Sequence, residues 1–149
     1  NCAEEDVSPM VLGGHGDTMV PLPRYTTVGG IPITQLISEE RIDAISARTA
    51  SGGGEIVKLL ERGSAFYAPG SAAAMMAESV LNDRRRVIPA SCHLTGQYGL
   101  EDVYIGVPCI LGANGVEVIF ELDLSDSELE SLQGSANFYK GQLKDILGY

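Results

Sequence analysis

A histidine flanked by glycines is the strongest candidate for chemistry in this chain of 149 residues. His15 lies in the segment Gly13-Gly14-His15-Gly16-Asp17, immediately after the apolar run 7–12. An imidazole at the end of a buried strand, on a loop without bulky neighbours, can exchange a proton with a closely bound ligand near neutral pH. The spacing alone leaves two interpretations open: a general acid/base, or a histidine whose ring is satisfied within a tight turn.

The other candidates for chemistry are weaker. Asp17 could orient the imidazole, although such a residue more often braces a loop through backbone N–H groups. His93 lies in an apolar, strand-like run, where a structural role is more common. The cysteines, Cys2, Cys92 and Cys109, are far apart and form no CxxC pair. Because neither the histidines nor the cysteines have the spacing of metal ligands, we expect no metal site. An odd, scattered set of cysteines predicts reduced thiols and a cytoplasmic location.

The composition argues against two broad classes of partner. Lys and Arg number 10 against 20 Asp and Glu, and this net charge of -10 disfavours binding to nucleic-acid phosphates. No apolar run reaches the roughly 20 residues that a membrane span requires, so no membrane partner is expected. The acidic excess also raises the hypothesis of a salt-rich cytoplasm, although 20% charged residues is an ordinary content.

The elements that must position His15 begin with a set of short strands. Asn114-Gly115 predicts a type I′ hairpin between two apolar segments. The predicted strands and extended segments cover 7–12, 19–23, 25–28, 87–94, 103–111 and 116–120. Strands followed by helices, with a hairpin between them, predict an α+β domain in which an antiparallel sheet and hairpins pack with long helices.

Three helical stretches complete the pattern. Ser38 is the expected N-cap of a helical stretch that keeps its phase to Gly63, as one bent helix or two abutting ones, because Gly52-Gly53-Gly54 interrupts it. Residues 71–82 have almost no polar face, which predicts a buried helix. The capping-box sequence Ser125-Asp126-Ser127-Glu128 begins the last, amphipathic helix. No strand is followed by a GxGxxG turn or a P-loop, so the chain has no nucleotide-binding half of its own.

Seven segments together resemble a known family. They follow one another in the family's order over nearly the whole chain, at 11–21, 25–32, 63–69, 83–87, 96–99, 106–108 and 112–117. This pattern resembles the lactate/malate dehydrogenase family, in which the counterpart of 11–21 carries the catalytic histidine. Gly13-Gly14 before His15 resembles the malate branch, since lactate enzymes more often have an acidic residue there. Residues 1–149 are therefore expected to be the C-terminal catalytic domain of that family.

The resemblance implies a reaction and a set of site residues. It implies NAD-dependent oxidation of (S)-malate to oxaloacetate, in which His15 takes the hydroxyl proton while a hydride passes to nicotinamide. Ala65 occupies a position where lactate enzymes often carry a hydroxyl, and Ser64 is the candidate substitute. The residues expected beside substrate or cofactor are Gly14, Gly16, Asp17, Ser64, Ala65 and Pro69.

The resemblance also implies parts that this chain lacks. In the family, a glycine-rich Rossmann half, the Arg that clamps the substrate carboxylate and the Asp that orients the histidine all precede the histidine segment. They would lie before Asn1, and the start Asn1-Cys2-Ala3-Glu4-Glu5-Asp6 itself reads as the interior of a longer protein. We therefore expect NAD to bind through the missing domain, the assembly to be a homodimer or homotetramer, and these 149 residues alone to be nearly inactive.

Two alternatives remain open from the sequence. The first is a lactate or other 2-hydroxyacid dehydrogenase, because substrate choice in the family depends largely on a loop in the missing half. The second is a module without enzymatic activity that serves in oligomerisation or binding. The role of His15 separates the module from either dehydrogenase, since only an enzyme requires the proton chemistry of its imidazole.

Overall fold

The computed structural model describes residues 2–148, in which runs of strands are followed by runs of helices along the chain. The strands are β1 (Val7–Ser8), β2 (Val11–Gly13), β3 (Met19–Pro21), β4 (Thr27–Val28), β5 (Ile31–Pro32), β6 (Arg86–Thr95), β7 (Glu101–Gly112) and β8 (Gly115–Ile119). The helices are α1 (Glu39–Leu60), α2 (Tyr67–Leu81) and α3 (Asp126–Leu147). These elements confirm the predicted α+β class with antiparallel sheets and long helices.

The larger sheet is built around the long strand β7. β6 pairs antiparallel with one edge of β7, beginning with Arg86 opposite Leu111. The other edge pairs with β8 and, where Gly13 lies opposite Gly106, with β2. β2 also pairs with β3, while β1, β4 and β5 form a separate sheet. The loop that follows β2, which carries His15, therefore emerges beside the middle of the longest strand.

The predicted strand 7–12 is two strands in different sheets. β1 pairs with β4 in the small sheet, and β2 pairs with β3 and β7 in the large one. Pro9 lies between β1 and β2. Proline has no N–H to donate to a ladder, and the break between the two strands falls at this residue.

The predicted hairpin between β7 and β8 is confirmed, but its turn is of another type. Gly112 pairs with Gly115, so Ala113 and Asn114 occupy the loop. A type I′ turn needs positive φ at both loop residues, whereas in this turn Gly115 is the residue with positive φ, at +85°. The register of the two strands shifts just before the turn, as expected of a turn closed by a bulge.

The predicted starts of α1 and α3 are confirmed, while α1 ends at Leu60 rather than at the predicted Gly63. α1 continues as one helix through Gly52-Gly53-Gly54, and Ser38 is its N-cap residue, although its side chain makes no capping hydrogen bond. At α3 the capping box is complete, because the Glu128 N–H donates to Oγ of Ser125 and the Ser125 N–H donates to the Glu128 carboxylate. None of the helices within residues 2–148 has the length and apolar character of a membrane span.

The prediction that the apolar helix 71–82 is buried is wrong for this chain. Of the residues of α2, Ser79 alone is buried, and its hydroxyl donates to the Leu111 carbonyl at 2.6 Å. Leu81 at the end of α2 is 82% exposed. The exposed apolar side chains of α1 and α3 include Ile45, Ile56, Leu59, Leu60, Phe138, Ile146 and Leu147. One small domain does not cover these faces, which is unusual for a protein that acts alone.

The main core lies between the larger sheet and α3. Leu12 of β2, Leu94 of β6 and Val107 of β7 pack there with Leu132 and Ala136 of α3. This contact fixes α3 against the strand that leads into the histidine loop.

The core also contains two of the cysteines, as predicted. Cys92 is 2% exposed and Cys109 is 0% exposed, and both are free thiols. Burial raises the pKa of the Cys92 thiol to about 12 and also raises the pKa of Cys109. At neutral pH both therefore remain protonated and lack the thiolate that reacts with electrophiles.

We expect one fast-reacting thiol in the native chain. Cys2 is exposed and should be alkylated by iodoacetamide, whereas Cys92 and Cys109 should react only after unfolding in urea. Counting the alkylated groups by mass spectrometry, before and after addition of urea, measures this directly. Rapid labelling of two or three thiols without denaturant would contradict the packing described above.

Candidate active site

His15 leaves the sheet directly after β2. Gly13, the last residue of β2, has φ +84°, and a short 3₁₀ turn over Gly16–Thr18 follows the histidine. The imidazole is exposed, and no hydrogen bond to its ring exists within residues 2–148. Its two nitrogens are therefore open to a ligand or to protein groups outside this part of the chain.

The structure brings His15 together with three other predicted site residues. The loop after β2, the middle of α1 and the start of α2 enclose a cavity of about 420 Å³. The cavity is lined by His15, Gly53, Ile56, Val57, Ser64, Ala65, Ala68, Pro69 and Ala72. Ser64, Ala65 and Pro69 thus face the same space as the imidazole, although they lie far from it along the chain. We name this space the histidine cleft.

Gly53 is a member of the histidine cleft that the sequence analysis did not single out. A Cβ built on Gly53 would lie 3.8 Å from Nε2 and 3.9 Å from Cε1 of His15. Glycine at this position therefore leaves one edge of the imidazole clear. The available signal was the run of three glycines inside a predicted helix, where each costs about 1 kcal/mol relative to alanine and so needs a compensating reason.

A second cavity, of about 570 Å³, lies on another side of His15. Its walls include Ser91 of β6, Tyr104 of β7 and Tyr139 of α3. Among the described residues, neither this cavity nor the histidine cleft has an Asp, Glu, Lys or Arg in its lining. The site as it stands offers a proton-transfer group and small walls, but no cation to bind a carboxylate.

Gly14 and Gly16, on either side of His15, are glycine for different structural reasons. Gly16 has φ +76° and no atom near the position of a Cβ, so its need for glycine is one of backbone conformation. A Cβ on Gly14 would overlap the ring of Tyr139 and would lie 2.5 Å from Oγ1 of Thr18. The missing side chain of Gly14 therefore makes room for a protein ring.

The structure does not bring Asp17 to the histidine cleft. Asp17 borders a different cavity, which it shares with Thr18, Ser131 and Ser135. In the part of the chain that the structure describes, it makes no hydrogen bond to His15. An orienting role for Asp17 toward the imidazole has no support in this geometry.

The other histidine, His93, is not in the lining of either cavity. Nε2 of His93 is 3.2 Å from Oδ1 of Asp102, and its ring centroid is 5.0 Å from that of Tyr104. This is an exposed contact between β6 and β7. Residues 2–148 contain no group of three or more His, Cys, Asp or Glu side chains placed to hold a metal ion.

Comparison with known proteins connects this geometry to one family. The family model of the lactate/malate dehydrogenase α/β C-terminal domain matches residues 1–148. A malate dehydrogenase of Thermomicrobium roseum is 64% identical over 132 residues, which cover 89% of this chain and 42% of that protein. The chain thus spans less than half the length of this relative.

Solved structures of a malate and a lactate dehydrogenase contain the same fold as this chain. A malate dehydrogenase of Salinibacter ruber superposes with a TM-score of 0.94 at 52% identity, covering 97% of this chain and 47% of that one. A lactate dehydrogenase of Eimeria maxima, solved with NADH and oxamate, superposes with a TM-score of 0.92 at 48% identity, covering 98% of this chain and 47% of that one.

Proposed function

The chain belongs to the lactate/malate dehydrogenase family, and from that premise we propose that it is the catalytic half of an NAD-dependent malate dehydrogenase. The reaction is the oxidation of (S)-malate to oxaloacetate. The observation that carries the proposal is the histidine cleft, where the exposed imidazole of His15 meets Ser64, Ala65 and Pro69 from a distant part of the chain.

His15 supplies the proton chemistry. Its neutral imidazole accepts the proton of the malate hydroxyl, and the imidazolium returns a proton to the ketone in the reverse reaction. The loop of His15 presents the ring at the cavity surface, and glycine at position 53 places no side chain against its Nε2 edge. No hydrogen bond from residues 2–148 occupies the ring nitrogens, so they are available to the substrate.

The residues present fit one end of NAD. The small side chains of Ala65, Ala68, Pro69 and Ala72 form a wall of the histidine cleft against which a flat ring can lie. When bound, nicotinamide accepts the hydride that leaves the substrate carbon. The rest of the cofactor needs phosphate-binding groups such as the GxGxxG turn of a Rossmann unit, and no GxGxxG turn or P-loop follows a strand within residues 2–148. We therefore place those groups in an NAD-binding domain outside the chain.

The charge of the site also supports a substrate-binding cation outside this chain. Malate carries two carboxylates, and neither cavity beside His15 has a Lys or Arg in its described lining. A bidentate guanidinium normally anchors and orients such a group. The clamping Arg and the Asp that would orient His15 are therefore assigned to the missing half.

The preference for malate over lactate is supported by the residues before His15. Gly13-Gly14 precedes His15 where lactate enzymes more often have an acidic residue. The relative from Thermomicrobium roseum is a malate dehydrogenase. A lactate dehydrogenase is the second candidate, favoured by the close superposition on the enzyme of Eimeria maxima.

The exposed apolar faces of α1, α2 and α3 support an assembly larger than this chain. We propose that these faces are covered by the NAD-binding domain and by further copies of the protein, in a homodimer or homotetramer. The reduced thiols support a cytoplasmic location.

The test compares the whole protein with the isolated chain of 149 residues. The whole protein should reduce oxaloacetate with NADH and prefer it to pyruvate by at least about 10²-fold in kcat/KM. The isolated chain should be at least about 10³-fold slower, because it lacks the groups that orient the substrate. A preference for pyruvate would assign the lactate reaction, and ordinary turnover by the isolated chain would overturn the division into halves.

A further inference from the structure

Two side chains of α3 hold consecutive backbone amides of the histidine loop. The Gly14 N–H donates to Oγ of Ser135 at 2.9 Å, and the His15 N–H donates to the Tyr139 hydroxyl at 3.1 Å. Ser135 and Tyr139 are four residues apart, so they lie one above the other on the same face of the helix. We name this pair of contacts the α3 clamp.

The α3 clamp rests on a firmly packed face. Leu132, Ser135, Ala136 and Tyr139 follow the helical spacing i, i+3, i+4, i+7, and Leu132 and Ala136 are core residues. Ser135 is itself only 4% exposed, and Tyr139 is partly buried against the same core. The groups that hold the loop therefore have little freedom to move.

The fit between Tyr139 and the loop is also steric. The ring of Tyr139 occupies the space that a Cβ on Gly14 would fill, so the helix and the loop are in direct contact there. The Tyr139 ring meets the ring of Phe138 edge-on, with centroids 5.5 Å apart. Tyr139 thus has neighbours on both sides, and its hydroxyl is aimed at the backbone of the histidine.

These observations have a consequence for the reaction. Because no hydrogen bond reaches the His15 ring from residues 2–148, the hydrogen bonds by which this domain holds His15 act on its backbone. We infer that Ser135 and Tyr139 are positioning residues that set the direction of the imidazole by holding the backbone of Gly14 and His15. The inference rests on the proposed role of His15 as acid/base, since a displaced ring matters only if the ring reacts.

The experiment removes one hydroxyl at a time from the whole protein. Tyr139→Phe keeps the ring and deletes the acceptor of the His15 N–H, and Ser135→Ala deletes the acceptor of the Gly14 N–H. Each should lower kcat about 10-fold while KM changes by less than about 3-fold, because orientation affects the transition state more than binding. Hydrogen exchange at the amides of Gly14 and His15 should become about 10-fold faster.

Tyr25→Phe is the matched control. The Tyr25 hydroxyl donates to the Asp123 carbonyl at 2.8 Å, away from both cavities, so this change also removes a phenolic hydrogen bond. It should leave kcat and the exchange of the His15 amide unchanged. If Tyr139→Phe and Ser135→Ala behave like Tyr25→Phe in both measurements, the α3 clamp has no positioning role.

The two measurements separate this inference from the proposed function. If the unmodified protein oxidises no 2-hydroxyacid, the proposed function fails, while exchange at the His15 amide still reports whether Tyr139 holds the loop. If the enzyme is active and exchange accelerates in Tyr139→Phe without a fall in kcat, the contact is structural and the positioning role is overturned.

Discussion

Replacement of His15 by asparagine should lower kcat for malate oxidation by the whole protein by roughly 10² to 10⁴-fold. Asparagine can still donate and accept hydrogen bonds, but it cannot take up the hydroxyl proton at neutral pH. Because the imidazole is exposed and makes no hydrogen bond within residues 2–148, the substitution should change the free energy of unfolding by less than about 0.5 kcal/mol. The measurement is steady-state kinetics in both directions, with thermal unfolding of the same samples.

The same substitution at the other histidine is the control. His93 lies outside both cavities and contacts Asp102 and Tyr104 on the surface of the β6–β7 hairpin. His93→Asn should leave kcat within about twofold, as expected of a surface substitution. Equal losses at the two positions would indicate a general effect of the substitutions rather than proton chemistry at His15.

This experiment also decides between an enzyme and a binding module. An oligomerisation or binding module would keep its biological activity in His15→Asn, because nothing it does requires a proton to be transferred. An enzyme of the proposed kind would keep its assembly and lose its turnover. Full retention of the biological activity would therefore remove the dehydrogenase assignment, and the family membership would then describe ancestry alone.

Local signals in the sequence predicted the parts of the site that depend on neighbouring residues. Glycines around His15 indicated an open loop, the capping box located the start of α3, and the sequence Asn114-Gly115 located a hairpin. Each of these depends on backbone conformation within a few residues. The exact turn differed because the bulge at Glu117 of β8 depends on how β7 and β8 pair, and that pairing is not local.

The parts that the sequence did not predict depend on contacts between distant segments. Gly53 lies against His15 only because α1 packs beside the histidine loop, and Tyr139 faces Gly14 only because α3 returns across β2. Nothing near Tyr139 in the sequence marks it as a partner of the site. The exposed face of α2 is a second example, since an apolar helix has the same pattern whether its own domain or another one covers it.

The exposed helices and the uncharged cavities have a common interpretation. A chain that buries Ser79 of α2 and exposes Leu81 has apolar surface without cover. The histidine that we propose to be catalytic has no Lys or Arg in the described lining of its cavities, and so no anchor for a carboxylate substrate. One additional domain that packs on the helices and reaches over the cleft would cover the apolar surface and supply the cation. This is the physical reason for expecting the isolated chain to retain the fold of the site but not its activity.

Gly14→Ala should be the most damaging conservative change in the histidine loop. A Cβ at this position would overlap the ring of Tyr139 and lie 2.5 Å from Oγ1 of Thr18. Overpacking of this kind costs about 1–3 kcal/mol of folding free energy, and relief by movement of the loop would displace His15. We therefore expect a lower urea midpoint together with a fall in kcat of at least about 10-fold.

A second glycine and a double variant make this prediction specific. Gly141 on α3 has open space at its Cβ position, so Gly141→Ala should raise stability by up to about 1 kcal/mol through helix propensity alone. In a Tyr139→Ala background the ring is gone and the hydroxyl of Thr18 can rotate away, so Gly14→Ala should cost much less than in the unmodified protein. Equal costs in the two backgrounds would show that the ring of Tyr139 is not what requires glycine at position 14, and the direct contact between α3 and the histidine loop would have to be abandoned.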